Sequence, residues 1–295
     1  GPIGYQQSVL SSPIVPLKEK TRSTISSSFT RGVIESKANG SNFEVFFGGQ
    51  SWGGKNYDEL KKNGSSSVYE KTIAQVQLAK NNWGNIVYKS VLVIHGEADG
   101  LDNNTSYHLD LKQWVDDYNA DIKAITEQKE DINLFLCQTA SAGGYMGAGG
   151  ITETDFPSPL LQLKAHEDYS DIFMSCSKYH LKYEDHAHID NKSQRVLGEY
   201  HNKAFLSVEK NGMFEPVRPL KISFVGNIIK IDFAGVKNGL SFDTSLVRSI
   251  SNYGFDYIDD AENSIISVSI SGSSQVSIEL SGNVGNNAYV SYAYR

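Results

Sequence analysis

The sequence predicts a mostly parallel α/β domain over residues 1–212, its sheet flanked by helices, followed by an antiparallel β-sandwich over residues 216–295. Three observations carry this. Short apolar runs of strand length alternate with segments of helical period through the first part of the chain, as expected of parallel strands buried on both faces. Polar or Gly-rich segments stand directly after those runs, where open α/β sheets bind ligands. From about Glu215 the alternation gives way to period-two runs separated by turns.

Taken in order, residues 1–40 carry little pattern. Gly1 to Pro16 reads as an extended entry containing Tyr5-Gln-Gln-Ser8, and Lys18 to Ala38 as a helix weakened by its Ser and Thr residues. Phe43-Glu-Val-Phe-Phe47 is the first strand. It runs into Gly48-Gly-Gln-Ser-Trp-Gly-Gly54, a turn whose backbone N–H groups can face a ligand. A helix from Ser67 to Asn81 carries Val68, Ile73, Val76, Leu78 and Ala79 near one face. The strand Val87 to Ile94 ends in His95-Gly-Glu-Ala-Asp-Gly100.

The helix Ser106 to Glu127 has Leu109, Leu111, Trp114, Val115, Tyr118, Ile122 and Ile125 at helical spacing. The strand Ile132-Asn-Leu-Phe-Leu-Cys137 ends at Gln138-Thr-Ala-Ser141 and a Gly-rich loop through Gly150. A helix around Ser158 to Tyr169 and a short strand, Ile172 to Ser175, come next. The loop Lys182 to Asp190 then leads into a helix from Arg195 to Leu206.

Pro216 and Pro219 mark a linker. Beyond it, Leu220–Val225, Ile228–Phe233, Ser264–Ile270, Gln275–Leu280 and Ala288–Tyr294 alternate in polarity. Turns such as Val225-Gly-Asn227, Lys237-Asn-Gly239 and Ser281-Gly-Asn283 complete the pattern of an antiparallel sandwich.

Composition narrows the function. A net charge of −7 with no Lys/Arg block excludes nucleic acid as the main partner. No apolar run reaches the roughly 18 residues of a membrane span, so no membrane insertion is expected. The N-terminal Gly1-Pro-Ile-Gly-Tyr5 lacks the charged-then-apolar pattern of a signal peptide, and its abrupt start fits a chain cut from something longer. The two cysteines, Cys137 and Cys176, read as buried free thiols rather than a disulfide framework.

The chemistry centres on Asp185 and His188, three residues apart just before a helix that can fix what the loop presents. A carboxylate beside an imidazole holds one tautomer and stabilises the imidazolium formed when the ring takes a proton. His186 and His188 would share one face of a strand and so form a metal pair, but no third ligand is evident, and no metal is expected. The 143–150 glycine run lacks the spacing and Lys of a phosphate loop. Trp52, Glu97 and Asp99 stand at strand ends, where such sheets bind a ligand; their plainer roles are packing for Trp52 and loop bracing for the two carboxylates.

Three segments together resemble the SGNH hydrolases, most nearly the sialate O-acetylesterase-like branch found in carbohydrate esterases and phage tail proteins. They are Gly53-Gly54-Lys-Asn-Tyr-Asp-Glu-Leu60, Ile94-His-Gly-Glu-Ala-Asp99, and Tyr179 through Phe205 with Asp185-His-Ala-His188 and Val196-Leu-Gly-Glu-Tyr200. The resemblance covers roughly residues 1–210, and Gly239-Leu-Ser-Phe-Asp243 looks like part of the β domain that follows this module in such proteins. It implies an SGNH/flavodoxin-like hydrolase with a Ser–His–Asp triad that removes an O-acetyl group from a sugar, with no cofactor. Asp185 and His188 carry over directly.

Two positions match the nucleophile. The order of blocks favours Ser8, where Gln replaces the expected Gly; the Gly49-Gln-Ser51 motif favours Ser51. The resemblance places oxyanion donors at Gly54 and His95, the latter because Ala98 stands where the general pattern has an Asn. It further implies a bacterial surface polysaccharide, such as O-antigen, as partner, a homotrimer, and a place in a virion tail that is extracellular when acting. The readings from other classes are a carbohydrate-binding receptor module on a dead esterase fold and a lipase- or thioesterase-like hydrolase.

Overall fold

The computed structural model describes residues 47–149, 156–247 and 249–293. Ser8, the expected helix from Lys18 to Ala38, and the expected first strand apart from Phe47 lie outside the described residues. The chain divides into two compact units between Phe214 and Glu215.

The first unit contains, in order, α1 (Tyr57–Leu60), α2 (Val68–Trp83), β1 (Ser90–Val93), α3 (Glu97–Leu101), α4 (Tyr107–Thr126), β2 (Asn133–Gln138), α5 (Ala142–Gly149), α6 (Ser158–Asp168), β3 (Ile172–Ser177) and α7 (Asn191–Asn211). The three strands form a parallel sheet in the order β1-β2-β3. Side chains alternate across it. Leu134, Leu136, Ile172 and Met174 join the cluster built with Val76 of α2, Leu111, Val115 and Ile122 of α4, and Ala165 of α6. Phe135 and Phe173 face the other way, onto Ala204, Phe205 and Val208 of α7. Each such Phe contributes about 1.5–3 kcal/mol by leaving water, which is why near-continuous apolar strands specify a sheet covered on both faces.

The alternation slips once. Leu136 pairs with Met174 and Cys137 with Cys176, so Ser175 is an extra residue on β3. The bulge keeps Cys137 and Cys176 together under α7, beside Leu197, and turns the Ser175 hydroxyl onto His201 Nδ1 at 2.9 Å. Both cysteines are free and buried.

Local signals set the helix ends. Asp190 caps α7 by accepting from Ser193 N–H at 2.7 Å, and Gly212 ends it in the left-handed conformation with φ 72°. The helix therefore starts four residues before the expected Arg195. Two expected loops are helical. His95 to Gly100 coils into α3, and the Gly-rich stretch after Ser141 forms α5. Glycine is needed in α5 for approach rather than for freedom: a Cβ on Gly144 would meet the His186 carbonyl oxygen at 2.6 Å. Leu109, expected on the buried face of α4, is exposed because its phase falls away from Leu111, Trp114 and Tyr118.

The second unit has β4 (Arg218–Val225), β5 (Ile228–Ala234), β6 (Phe255–Ile258), β7 (Ile265–Ile270), β8 (Gln275–Leu280) and β9 (Tyr289–Tyr292). An antiparallel sheet of order β4-β5-β8-β7 and a β6-β9 pair share one core of Ile229, Ile231, Phe255, Val276, Ile278 and Leu280. Gly226, at φ 60° in the first central position of the β4–β5 hairpin, supplies the conformation a two-residue turn of the II′ class needs. The strand β6 was not expected; it is four residues long and its pairing with β9 is non-local.

Candidate active site

Because the strands are parallel, the segments leaving β1, β2 and β3 share one edge of the sheet. The loop after β3 is closed at its neck. Tyr183 bridges Ile189, Glu184 N–H donates to the His188 carbonyl at 2.8 Å, and Asp190 N–H donates to the Lys182 carbonyl at 2.8 Å. Ser193 of α7 ties in the same neck by accepting from Lys182 N–H at 2.9 Å. The chain between these ties is short and presents Asp185 and His188 on an ordered mount.

Asp185 Oδ1 accepts from the backbone N–H of Ala187 at 2.8 Å and of His188 at 2.7 Å. Oδ2 lies 2.9 Å from His188 Nδ1 and Oδ1 3.1 Å from it. An ionised carboxylate only accepts, so Nδ1 carries the proton and the ring's lone pair is on Nε2. The Ala187 and His188 N–H groups, then the His188 ring, hold the Asp185 carboxyl well below the usual carboxylate range. The His188 side chain is 69% exposed, and Nε2 has no partner among the described residues. His186 turns aside, its ring edge-on to Tyr145 at 5.0 Å. Among the described residues no group of three or more His, Cys, Asp or Glu could hold a metal.

The 51–57 turn lies in the same unit. Ser51 is exposed and is not hydrogen-bonded to His188, while Trp52 is half-exposed with the Lys55 ammonium 5.8 Å from its ring centroid. Gly54 adopts φ 70°, and a Cβ there would touch nothing within 4 Å. The residues after Gly54 are firmly held. Asn56 caps α1 reciprocally with Glu59, and Tyr57 N–H donates to Asp99.

Two residues of the expected site are held inside the fold. His95 is 8% exposed, with Nδ1 at 2.6 Å from the Tyr107 hydroxyl and Nε2 at 3.0 Å from the Lys55 carbonyl. Asp99 is 1% exposed and accepts from Tyr57 N–H and from Asn104 Nδ2 at 3.0 Å, which is the loop bracing named as its plainer role. Asp99 is turned inward by α3, a stretch that the sequence alone presents as loop, and His95 lies two residues before that helix.

Glu97 is likewise engaged, in an ion pair with Lys178, the residue after β3. Burial would raise the Glu97 carboxyl, but the Lys178 ammonium more than offsets this and holds it low. The Lys178 side chain is buried, and Glu97 in turn keeps it charged by raising its pKa. The pair joins the segment after β1 to the segment after β3. Lys178 was not among the expected site residues. A charged residue directly after a buried apolar strand was the available signal, and its partner lies 81 positions away.

The first unit is thus a parallel α/β sheet with an acid–imidazole pair on the loop leaving β3. No family model and no curated protein matches the chain. Among solved structures, a carbohydrate acetylesterase from Xanthomonas citri shares the fold with a TM-score of 0.63 at 14% identity, over 91% of this chain and 59% of its own. A protein from Arabidopsis thaliana aligns at 20% identity over 61% of this chain and 66% of its own, with a TM-score of 0.47. The chain spans less than two thirds of the length of either.

Proposed function

We propose that the first unit is a serine esterase of SGNH type that removes O-acetyl groups from a surface polysaccharide. The observation that supports this reading is the Asp185–His188 pair, with Nδ1–H facing Oδ2 at 2.9 Å and Nε2 left for a proton from a serine. The serine hydroxyl, of Ser8 or Ser51, attacks the acetyl carbonyl as its proton passes to His188 Nε2. The imidazolium, stabilised by Asp185, returns that proton to the leaving sugar oxygen. Water then attacks the acetyl-serine by the same relay, releasing acetate. The Gly54 N–H and the nucleophile's own N–H serve the tetrahedral oxyanion; one such donor is worth about 3–4 kcal/mol. Trp52 is the exposed aromatic group beside this turn and supplies a face for a sugar ring.

The test is acetate release from p-nitrophenyl acetate and from an O-acetylated polysaccharide by the wild type, Ser8→Ala, Ser51→Ala and His188→Ala. One serine variant matching the loss in His188→Ala identifies the nucleophile. Faster release of longer acyl chains would point to a lipase-like enzyme. A folded wild type that binds the polysaccharide without releasing acetate would be a receptor module instead.

The bacterial partner, the virion-tail location and the homotrimer belong to the same proposal, through the likeness of the region around Gly239-Leu-Ser-Phe-Asp243 to the domain that follows such modules. Light scattering that returns the mass of one chain rather than three would remove the trimer.

A further inference from the structure

The interior position of His95 leaves it a different task from the one its sequence context implied. We infer that His95 is a positioning residue, which fixes the oxyanion turn at Gly54 by holding the Lys55 carbonyl from below; this rests on the esterase reading above.

The hydrogen bonds assign the ring's protons. A carbonyl only accepts, so the nitrogen 3.0 Å from the Lys55 oxygen, Nε2, carries a hydrogen. The same nitrogen lies 3.4 Å from Asp99 Oδ2, a second acceptor. Nδ1 then takes a hydrogen bond from the Tyr107 hydroxyl at 2.6 Å. Tyr107 is fully buried, and burial raises its phenol well above the ordinary range, so it keeps the proton it donates.

The ring cannot turn to face substrate. Trp114 packs edge-on against it at 5.3 Å, and Tyr57 packs edge-on against Trp114 at 5.6 Å. Its backbone is held too, since Gln162 Nε2 donates to the His95 carbonyl at 2.7 Å and Gln162 Oε1 accepts from Thr139 N–H at 2.7 Å. At Gly96, with φ 120°, a Cβ would meet Gln162 Nε2 at 2.7 Å. The ends of β1 and β2 and the body of α6 therefore form one frame for the imidazole.

That frame grips consecutive peptides of the turn. His95 holds the Lys55 carbonyl, Asp99 holds Tyr57 N–H, and Asn56 Nδ2 donates to Asp102 at 2.7 Å. The residue just before is Gly54, whose side touches nothing within 4 Å. The peptides that follow its left-handed turn are held, and the first grip on them is His95. In this arrangement the donors to the oxyanion are backbone N–H groups, and the imidazole sits one layer beneath them.

Two substitutions separate reach from mere presence. In His95→Gln the amide nitrogen extends to the position of Nε2 and can still donate to Lys55. In His95→Asn it reaches only to the position of Nδ1. Amide hydrogen exchange over 54–57 and steady-state kinetics with p-nitrophenyl acetate are measured for both and for the wild type, with exchange elsewhere reporting the fold. The expected result is near wild-type exchange and a kcat within about 3-fold for His95→Gln, against faster exchange confined to this turn and a loss of about 10- to 100-fold in kcat at similar KM for His95→Asn. Equal losses in the two variants, or unchanged exchange in His95→Asn, overturn the positioning role. In the diethyl phosphoryl adduct of the wild type, a shifted Gly54 amide with an unmoved His95 Nε2–H resonance supports it, and a shifted Nε2–H makes His95 a direct donor instead. A wild type without esterase activity removes the esterase reading alone, because the exchange comparison still decides whether His95 holds the turn.

Discussion

Asp185 holds His188 by two routes at once: Oδ1 accepts the residue's backbone N–H at 2.7 Å, and Oδ2 faces its ring Nδ1–H at 2.9 Å. One carboxylate therefore sets both where the loop runs and which tautomer the ring adopts. That is a compact solution for an exposed imidazole, which has few neighbours to hold it by packing.

Asp185→Asn keeps the shape but replaces an acceptor-only group with an amide. The expected loss in kcat for acetate release is about 10³- to 10⁴-fold, with KM little changed, as for other triads whose tautomer is lost. A loss below 10-fold would show that the pair is not catalytic. Asp185 is lowered in the folded chain, so its contribution is present above the unfolded value of about 3.9 and is lost only as pH falls below that. The rate should accordingly show no titration of Asp185 between pH 5 and 8.

The Glu97–Lys178 pair calls for a different measurement. Removing one partner leaves the other charge buried, at about 3 kcal/mol or somewhat more for Lys178→Met by urea unfolding at pH 7. Removing both in Lys178→Met with Glu97→Gln should recover much of that. Glu97 is lowered and Lys178 raised, so the stabilisation is complete between the unfolded values of about 4.3 and 10.4. It is lost as pH falls through the folded value of Glu97 or rises through that of Lys178. Additive losses in the double variant would mean the two charges do not act as a pair.

Much of this was legible in the sequence. The apolar strands Val91–Val93, Leu134–Cys137 and Ile172–Met174 declare a sheet covered on both faces, because no other arrangement hides them. Asp185 and His188 were legible because their bonding is local, three residues apart on one loop. For Glu97 and Asp99 the sequence left loop bracing and sugar contact both open, and for His95 it gave no direction of the ring. The direction of Glu97 and Asp99 depended on α3, and five residues containing Gly100 give no helical period to read. The helix α5 was missed because it is rich in glycine, one of which, Gly144, answers to the His186 carbonyl, a tertiary demand.

Gly144→Ala sets that demand against helix propensity. In an isolated helix the change would stabilise by about 0.5–1 kcal/mol. Here the new Cβ meets the His186 backbone at 2.6 Å, and backbone does not yield as a side-chain tip does. Overpacking of this kind costs about 1–3 kcal/mol, so the net effect should be a loss of stability. Since the displaced segment carries Asp185 and His188, kcat should fall as well. A stabilised, fully active variant would show that α5 does not support the loop.

His201 offers the pH dependence easiest to isolate. Its Nδ1 meets the Ser175 hydroxyl at 2.9 Å, while Nε2 is buried with no hydrogen-bond partner among the described residues. A protonated ring needs an acceptor at each nitrogen, and burial accordingly drops the His201 pKa from 6.5 to about 4. A lowered folded value means that the contribution is present above 6.5 and is lost as pH falls toward 4. The full difference amounts to about 3 kcal/mol. Unfolding free energies of the wild type and of His201→Gln, measured by urea between pH 7 and 4, should converge by that amount as the pH falls, because Gln can bond Ser175 without titrating. Parallel curves would show that His201 takes up its proton in the folded chain as readily as in the unfolded one. The ring would then have an acceptor, or a path to water, at Nε2.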